Sequence, residues 1–365
     1  MRIFGCWQQC GGTPLTIRDL LKINFVGLKI MEIKKLIGSL SIISLFVYGC
    51  QIKSDNGTQK LEYELVNEWP QLSPGYTLGQ PTGIGIDNDE HVFVFHRARR
   101  RWTTPFPDSL ISENTILELE GETGKILNSW GANYFIMPHG LTVDKDNNIW
   151  VTDVGLHQIL KFSHDGQLLM TLGVPKVPGN DSLHFNLPTD VAIADDGSFY
   201  VSDGYGNSRV VKFSASGEYI FEWGTHGNKQ SEFDIPHGIT LDNMGNVYVA
   251  DRQNNRIQVF DSNGIFLKEL KNSEQVVQLP SVTIDKKQNL YAIDYHFLDT
   301  LEYGSTILQY NKADTVIYQF GGLGTNKRTG SWYHDISVDK EANIYVGDIN
   351  GMKVRKFKLK SIDKK

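Results

Sequence analysis

Three histidines, His139, His237 and His334, stand at corresponding places in separated stretches of the chain: PHGLTVD from Pro138, PHGITLD from Pro236 and YHDISVD from Tyr333. One such histidine would be read as a strand cap. Three in one aligned position ask for a chemical reason. Neutral imidazoles suit borderline divalent metals, and three nitrogen ligands with an open fourth position are the ligand set of a catalytic zinc site. Arg97 and Arg252 directly follow a second aligned position, and Tyr205 lies one residue further on in its own copy. A guanidinium forks onto a carboxylate, and a phenol beside cations can serve as a base. The chemistry implied is metal-assisted work on an anionic substrate. It requires a scaffold that brings residues nearly a hundred positions apart to one point.

That scaffold is a repeat. The clearest copy, PHGITLDNMGNVYVADRQNNRIQVFDSNGIF at 236–266, reads as short β-branched and aromatic runs separated by Asn, Asp and Gly turns. This is the signal of a four-stranded antiparallel meander. Copies start at Pro81, Pro138, Pro188, Pro236, Pro280 and Tyr333, with starts 44 to 57 residues apart. A period of this size with four strands per unit is that of a β-propeller. The turn-rich period resembles NHL repeats. The fold expected is all-β, a six-bladed propeller. The last copy lacks a fourth strand, and LEYELVNEWP at 61–70 has no other role. It is predicted to complete blade six and so remove a raw sheet edge.

Aligning the copies sets the site. The position after the leading residue reads Thr82, His139, Thr189, His237, Ser281 and His334. Alternate blades of a six-bladed ring lie a third of a turn apart, so the imidazoles converge on the axis. The end of the second strand reads His96, Asp153, Asp203, Asp251, Asp294 and Asp348, and the aspartates are expected to cap the following turns. Arg97, Arg252 and Tyr205 follow that column and belong to the same mouth of the channel. Arg99, Arg100 and Arg101 read as a solvated loop. So do His157, His164, His184 and His226.

Composition narrows the class. There are 36 basic and 42 acidic residues, a net charge of −6, which argues against a nucleic-acid surface. Residues 31–50, MEIKKLIGSLSIISLFVYGC, have the basic start and short apolar stretch of a lipoprotein signal, with Cys50 as the lipidation site. Residues 1–30 are expected to be an upstream extension outside the native protein, and 51–60 a tether to a propeller spanning 61–360. The expected location is the bacterial cell envelope, lipid-anchored on the periplasmic or cell-surface side, and the expected state a monomer. No cysteine falls within the propeller, so no disulfide staples it.

Several runs in order carry a family resemblance: VFHR at 94–97, MPHGLTVD…WVTDVGLHQ from Met137, PTDVA…VSDGYGNSR from Pro188, PHGITL…VADRQNNRIQ from Pro236, and HDI…YVGD from His334. Over about 76–358 the chain resembles the peptidylglycine α-amidating lyases. That family cleaves peptidyl-α-hydroxyglycine to a peptide amide and glyoxylate on a six-bladed propeller. The resemblance implies zinc on His139, His237 and His334, a catalytic Tyr205, and active-site Arg97 and Arg252. It implies a structural calcium on Asp335 with the carbonyls of Ile84 and Leu141. The chain departs from the family at Trp332-Tyr333, where Met-Pro is usual, and at Asn186 and Gly206, where the animal enzymes have cysteines.

The function expected is therefore a zinc-dependent carbon–nitrogen lyase acting on an α-hydroxyglycine-like group. In that reading Tyr205, beside Arg97, takes the hydroxyl proton, and Arg252 or Arg97 holds the carboxylate. Two rivals differ in class. One is a non-enzymatic surface lipoprotein of NHL type that binds a protein or glycan. The other is a calcium lactonase of similar shape, whose oxygen-only ligands the three imidazoles disfavour.

Overall fold

The structure, a computed structural model, describes residues 62–272, 277–296, 303–324 and 330–360. The expected extension, the signal with Cys50 and the tether lie outside the described residues. Among the described residues no helix is long and apolar enough to cross a membrane.

Six four-stranded antiparallel sheets make the fold. Blade four shows the local logic: Pro236–Leu241, Val247–Asp251, Arg256–Phe260 and Phe266–Lys271 pair in sequence order. Its first turn closes because Asp242 Oδ1 accepts the N–H groups of Met244 and Asn246, each at 2.9 Å, while Gly245 takes φ +78°. Asp144, Asp285 and Asp339 make the same turn in blades two, five and six.

The innermost strands touch one another around the ring, the first, Pro81–Ile86, meeting the last, Tyr333–Val338. No single core exists. Apolar layers fill each seam between blades, as where Phe93, Phe95 and Ile116 meet Leu141, Val151 and Phe162. Burying each such side chain contributes roughly 1.5–3 kcal/mol.

Tyr63–Leu65 pairs antiparallel with Lys353–Leu359 as the outer strand of blade six. The strand is shorter than the 61–70 stretch. The remainder plugs the next seam: Trp69 is buried, packs on Tyr345 at 5.1 Å, and donates Nε1–H to the Gly121 carbonyl at 3.2 Å.

Pairing corrects the alignment of blade five. Ser281 faces Ile293, as Leu141 faces Val151 one position further along blade two, and Asp190 faces Ser202 in blade three. Ser281 therefore corresponds to Gly140 and Asp190. Pro280, not Ser281, occupies the histidine position, because Leu279 leads this copy and its proline stands one place later than in PHGITLD.

Candidate active site and metal centre

His139, His237 and His334 sit at the start of the innermost strands of blades two, four and six. They are 1%, 2% and 6% exposed, and their ring centroids lie 4.7, 4.5 and 4.9 Å apart. Each Nδ1 meets a backbone carbonyl on the next blade: Thr189 at 2.7 Å, Pro280 at 2.8 Å and Thr82 at 2.7 Å. A carbonyl only accepts, so each Nδ1 carries the proton and each Nε2 keeps its lone pair. Burial, aided by the neighbouring imidazoles and arginines, holds His139 and His237 well below the usual imidazole range. Burial is the main cause for His334, pushed down to about 3.

The Tyr205 hydroxyl lies 3.2 Å from His139 Nε2 and 3.1 Å from His237 Nε2. It has one proton and faces two lone pairs. A ring of neutral imidazoles with more acceptors than donors fits a divalent cation, and these three residues could hold one.

Both arginines bear on Tyr205. Arg252 Nη1 lies 3.5 Å from the hydroxyl and its guanidinium 5.9 Å from the ring centre, and Arg97 is close enough to interact electrostatically with Tyr205. Arg252 Nη2 donates to Gln278 Oε1 at 2.9 Å, and its buried Nε has no hydrogen-bond partner among the described residues. Arg97 donates Nε–H to the Pro138 carbonyl at 3.1 Å and packs on Trp102 at 5.2 Å. Burial lowers it to about 10, still cationic at neutral pH.

These groups line a cavity of about 520 Å³ at the channel mouth, with Gln80, Trp332 and Asn350. Trp102 lies over Tyr205 with ring centres 5.1 Å apart. Sequence reasoning missed Trp102. It rides on the long connection between Val92–His96 and Ile116–Leu119, whose length was a signal. Trp332, one of the departures, stacks on Tyr295 at 4.7 Å. Asn186 and Gly206 are neighbours, the Gly206 N–H donating to the Asn186 carbonyl at 2.9 Å.

Asp153 and Asp348 cap the following turns, whereas Asp203 and Asp251 hold Arg209 and Arg256, and Asp294 accepts from Thr306. Asp153 accepts the N–H groups of Ile136, Met137 and Leu156, each at 2.8 Å. His96 does the same through Nδ1, accepting from Ala98 at 3.1 Å.

Behind the imidazoles lie two half-buried carboxylates. Asp335 Oδ2 accepts the Ile84 N–H, and Oδ1 the Ser281 hydroxyl, each at 2.8 Å. Ile84 thus meets Asp335 through its N–H; Leu141 lines the same end of the channel. Asp190 faces Asp335. Burial and this mutual repulsion push Asp190 well above the carboxylate range, and burial raises Asp335 to about 6. A cation between them would reverse both shifts. Asp190 stands where other copies have Gly83, Gly140 and Gly238, a signal left unread.

The histidines read as solvated divide. His226 is exposed, but His164 and His184 bond Asp87 and Asp181, and His157 Nδ1 accepts the Leu187 N–H.

Comparison with known proteins gives three findings. The NHL repeat family matches residues 135–162, 185–213 and 233–260, in blades two to four. Peptidyl-alpha-hydroxyglycine alpha-amidating lyase 1 of Drosophila melanogaster is 34% identical over 343 residues, 86% of this chain and 63% of that protein. Peptidyl-glycine alpha-amidating monooxygenase B of Xenopus laevis is 34% identical over 319 residues, 82% of this chain and 36% of that protein. The chain thus spans less than two thirds of these relatives' length. A solved streptogramin B lyase superposes with a TM-score of 0.53 at 18% identity, covering 82% of this chain and 98% of that one, which bears on the fold alone.

Proposed function

The chain belongs to the family of the peptidyl-α-hydroxyglycine α-amidating lyases, six-bladed NHL-repeat propellers, and we propose that it is itself a zinc-dependent carbon–nitrogen lyase. Its substrate would be a peptidyl-α-hydroxyglycine-like hemiaminal, and its products an amide and glyoxylate. The observation that carries this reading is the Tyr205 hydroxyl held within 3.2 Å of two imidazole Nε2 atoms whose tautomers are fixed.

His139, His237 and His334 would hold the zinc, which when bound supplies Lewis acidity to the substrate hydroxyl. Tyr205, as a phenolate stabilised by Arg252, accepts the hydroxyl proton and becomes the neutral phenol. The oxygen lone pair forms the aldehyde carbonyl as the C–N bond breaks. The bonding pair goes to the amide nitrogen, which takes up one proton and so balances the one that Tyr205 removed from the hydroxyl. Arg97, packed on Trp102, offers its remaining N–H groups to the glycine carboxylate. Trp102 covers Tyr205 and limits water around the reacting carbon.

Asp335 and Asp190 would hold a structural calcium at the inner end of the channel, with carbonyls of Ile84 and Leu141 completing the oxygen ligands. Cys50 would anchor the protein by a lipid to a bacterial envelope membrane. The test of the activity is glyoxylate release from an α-hydroxyglycine-capped peptide, or from α-hydroxyhippurate. Turnover that disappears on chelation and returns with zinc is expected. No turnover by a zinc-loaded protein would sink the lyase reading and favour a binding role.

A further inference from the structure

A second group of metal-ligating side chains lies away from the channel: Asp87, His91, Glu118 and His164. Asp87 and His91 flank the first turn of blade one, Glu118 lies on its third strand, and His164 on the turn after Gln158–Phe162 of blade two. Turns that follow the first and third strands open on the face opposite the imidazole mouth.

The other blades act as internal controls. Four residues after the turn aspartate stands asparagine in blades two, four, five and six: Asn148, Asn246, Asn289 and Asn343. Each Nδ2 donates to its aspartate at 2.7 to 3.0 Å. In blade one that position is His91. The third-strand partner of the aromatic two residues further on is Lys161, Lys212 and Lys356 in blades two, three and six. Lys161 reaches Asp144 at 3.4 Å. In blade one the partner of Phe93 is Glu118. Blade one has therefore exchanged a neutralising cation for a second carboxylate and an amide for an imidazole.

The exchange leaves two buried carboxylates together, Asp87 with 0% and Glu118 with 9% of its side chain exposed. Among the described residues neither has a lysine or arginine within ion-pair distance. Such a pair is costly without a cation. What they meet instead is imidazole nitrogen. His91 Nδ1 lies 3.2 Å from Asp87 Oδ2 and 3.0 Å from Glu118 Oε1; it is buried and makes no well-formed hydrogen bond. His164 Nε2 lies 3.0 and 3.8 Å from the same two oxygens. Ligands about 2.0 Å from a tetrahedral zinc stand roughly 3.3 Å apart, and these spacings bracket that value.

We propose that Asp87, His91, Glu118 and His164 form a second, structural zinc site that ties blade one to blade two. Two nitrogens and two oxygens fill a tetrahedron and leave no open position, so the site is for stability and not for catalysis. His164, 38% exposed, gives the ion its way in.

The test uses the full chain with His139→Ala and His334→Ala, which removes channel ligands, in buffer containing calcium. After chelation and dialysis against micromolar zinc, elemental analysis should find about one zinc per chain, and zinc should raise Tm. Adding His164→Ala should bring bound zinc to near zero and abolish the Tm rise. His91→Asn with Glu118→Lys installs the residues of blade two. It should bind no zinc, yet unfold without metal at a Tm no lower than its parent. If that pair does not fold, His164→Gln gives the same reading from the edge of the site. A channel-disabled chain that binds no zinc, or a His91→Asn/Glu118→Lys chain that keeps it, overturns the proposal.

Discussion

His334 Nδ1 donates to the backbone carbonyl of Thr82 at 2.7 Å, across the seam where the last blade meets the first. The ring closure and the orientation of one imidazole are thus the same contact. Tyr63, on the N-terminal strand that completes blade six, holds that strand against blade five, stacking on Phe320 at 4.9 Å and meeting the Tyr291 hydroxyl at 3.1 Å. Tyr63→Ala should cost about 3 kcal/mol, the lower part of the range for deleting a buried aromatic ring. Its effect should reach the channel as well, with zinc lost at lower chelator concentrations than from wild type. Thermal unfolding and zinc retention on the same samples test this, and unchanged zinc retention in a destabilised variant would separate closure from the site.

Tyr205→Phe keeps the ring against Trp102 and removes the hydroxyl. Turnover should fall about 10²–10⁴-fold, the usual contribution of a positioned acid or base, with zinc content unchanged. Arg252→Lys should lower kcat, because it disturbs the cation on Tyr205. Arg97→Lys should mainly raise KM, because it disturbs the carboxylate clamp. Steady-state glyoxylate release decides it, and wild-type turnover in Tyr205→Phe would remove it as the base.

Much of this was legible in the sequence because repetition makes a propeller self-aligning. Alternation of histidine along one column gave convergence without coordinates. What stayed hidden broke the repeat. Pro280 was masked because the proline of its copy stands one place later than in the others, behind Leu279. Trp102 lies in a connection with no counterpart in other blades. Which arginine reaches the Tyr205 hydroxyl depends on where Gln278 and the Pro138 carbonyl pull each guanidinium, and no column records that. His91 and His164 come from non-equivalent positions of different copies, so only packing brings them together.

Acid should unfold the metal-free protein from a definite side. His334 titrates at about 3 when folded against about 6.5 when unfolded, and His139 and His237 are shifted the same way. The unfolded chain binds more protons in that window, so stability is present above pH 6.5 and is lost as pH falls toward 3. Folded imidazoles remain neutral at pH 5, so zinc bound at neutral pH should still be held there. Release of zinc near pH 6.5, before unfolding, would contradict the buried environment of the three rings.

Cys50→Ser should abolish lipid attachment and move the protein from the membrane fraction to the soluble one. Mass spectrometry of the mature N-terminus checks the site. A substituted protein that fractionates with membranes as wild type does would rule out Cys50 as the anchor.

Asp190 and Asp335 should behave in the opposite sense to the histidines. Asp335 is raised to about 6 from an ordinary 3.8, with Asp190 raised further by burial and by Asp335. A raised carboxyl binds its proton more tightly when folded. Its contribution is therefore fully present below about pH 3.8 and lost as pH rises through 6. At pH 8 without metal, Asp335 is charged and faces Asp190, so chelation should lower Tm there more than at pH 6. Calcium should restore it. Asp190→Asn removes one titratable carboxyl and keeps the side chain's shape and its acceptor for the Ile239 N–H. In chelator at pH 8 this variant should unfold at a higher temperature than wild type, and calcium should raise its Tm less. Calcium titrations followed by thermal unfolding at both pH values test the pair. If wild type and Asp190→Asn respond identically to calcium, the carboxylates do not share a cation.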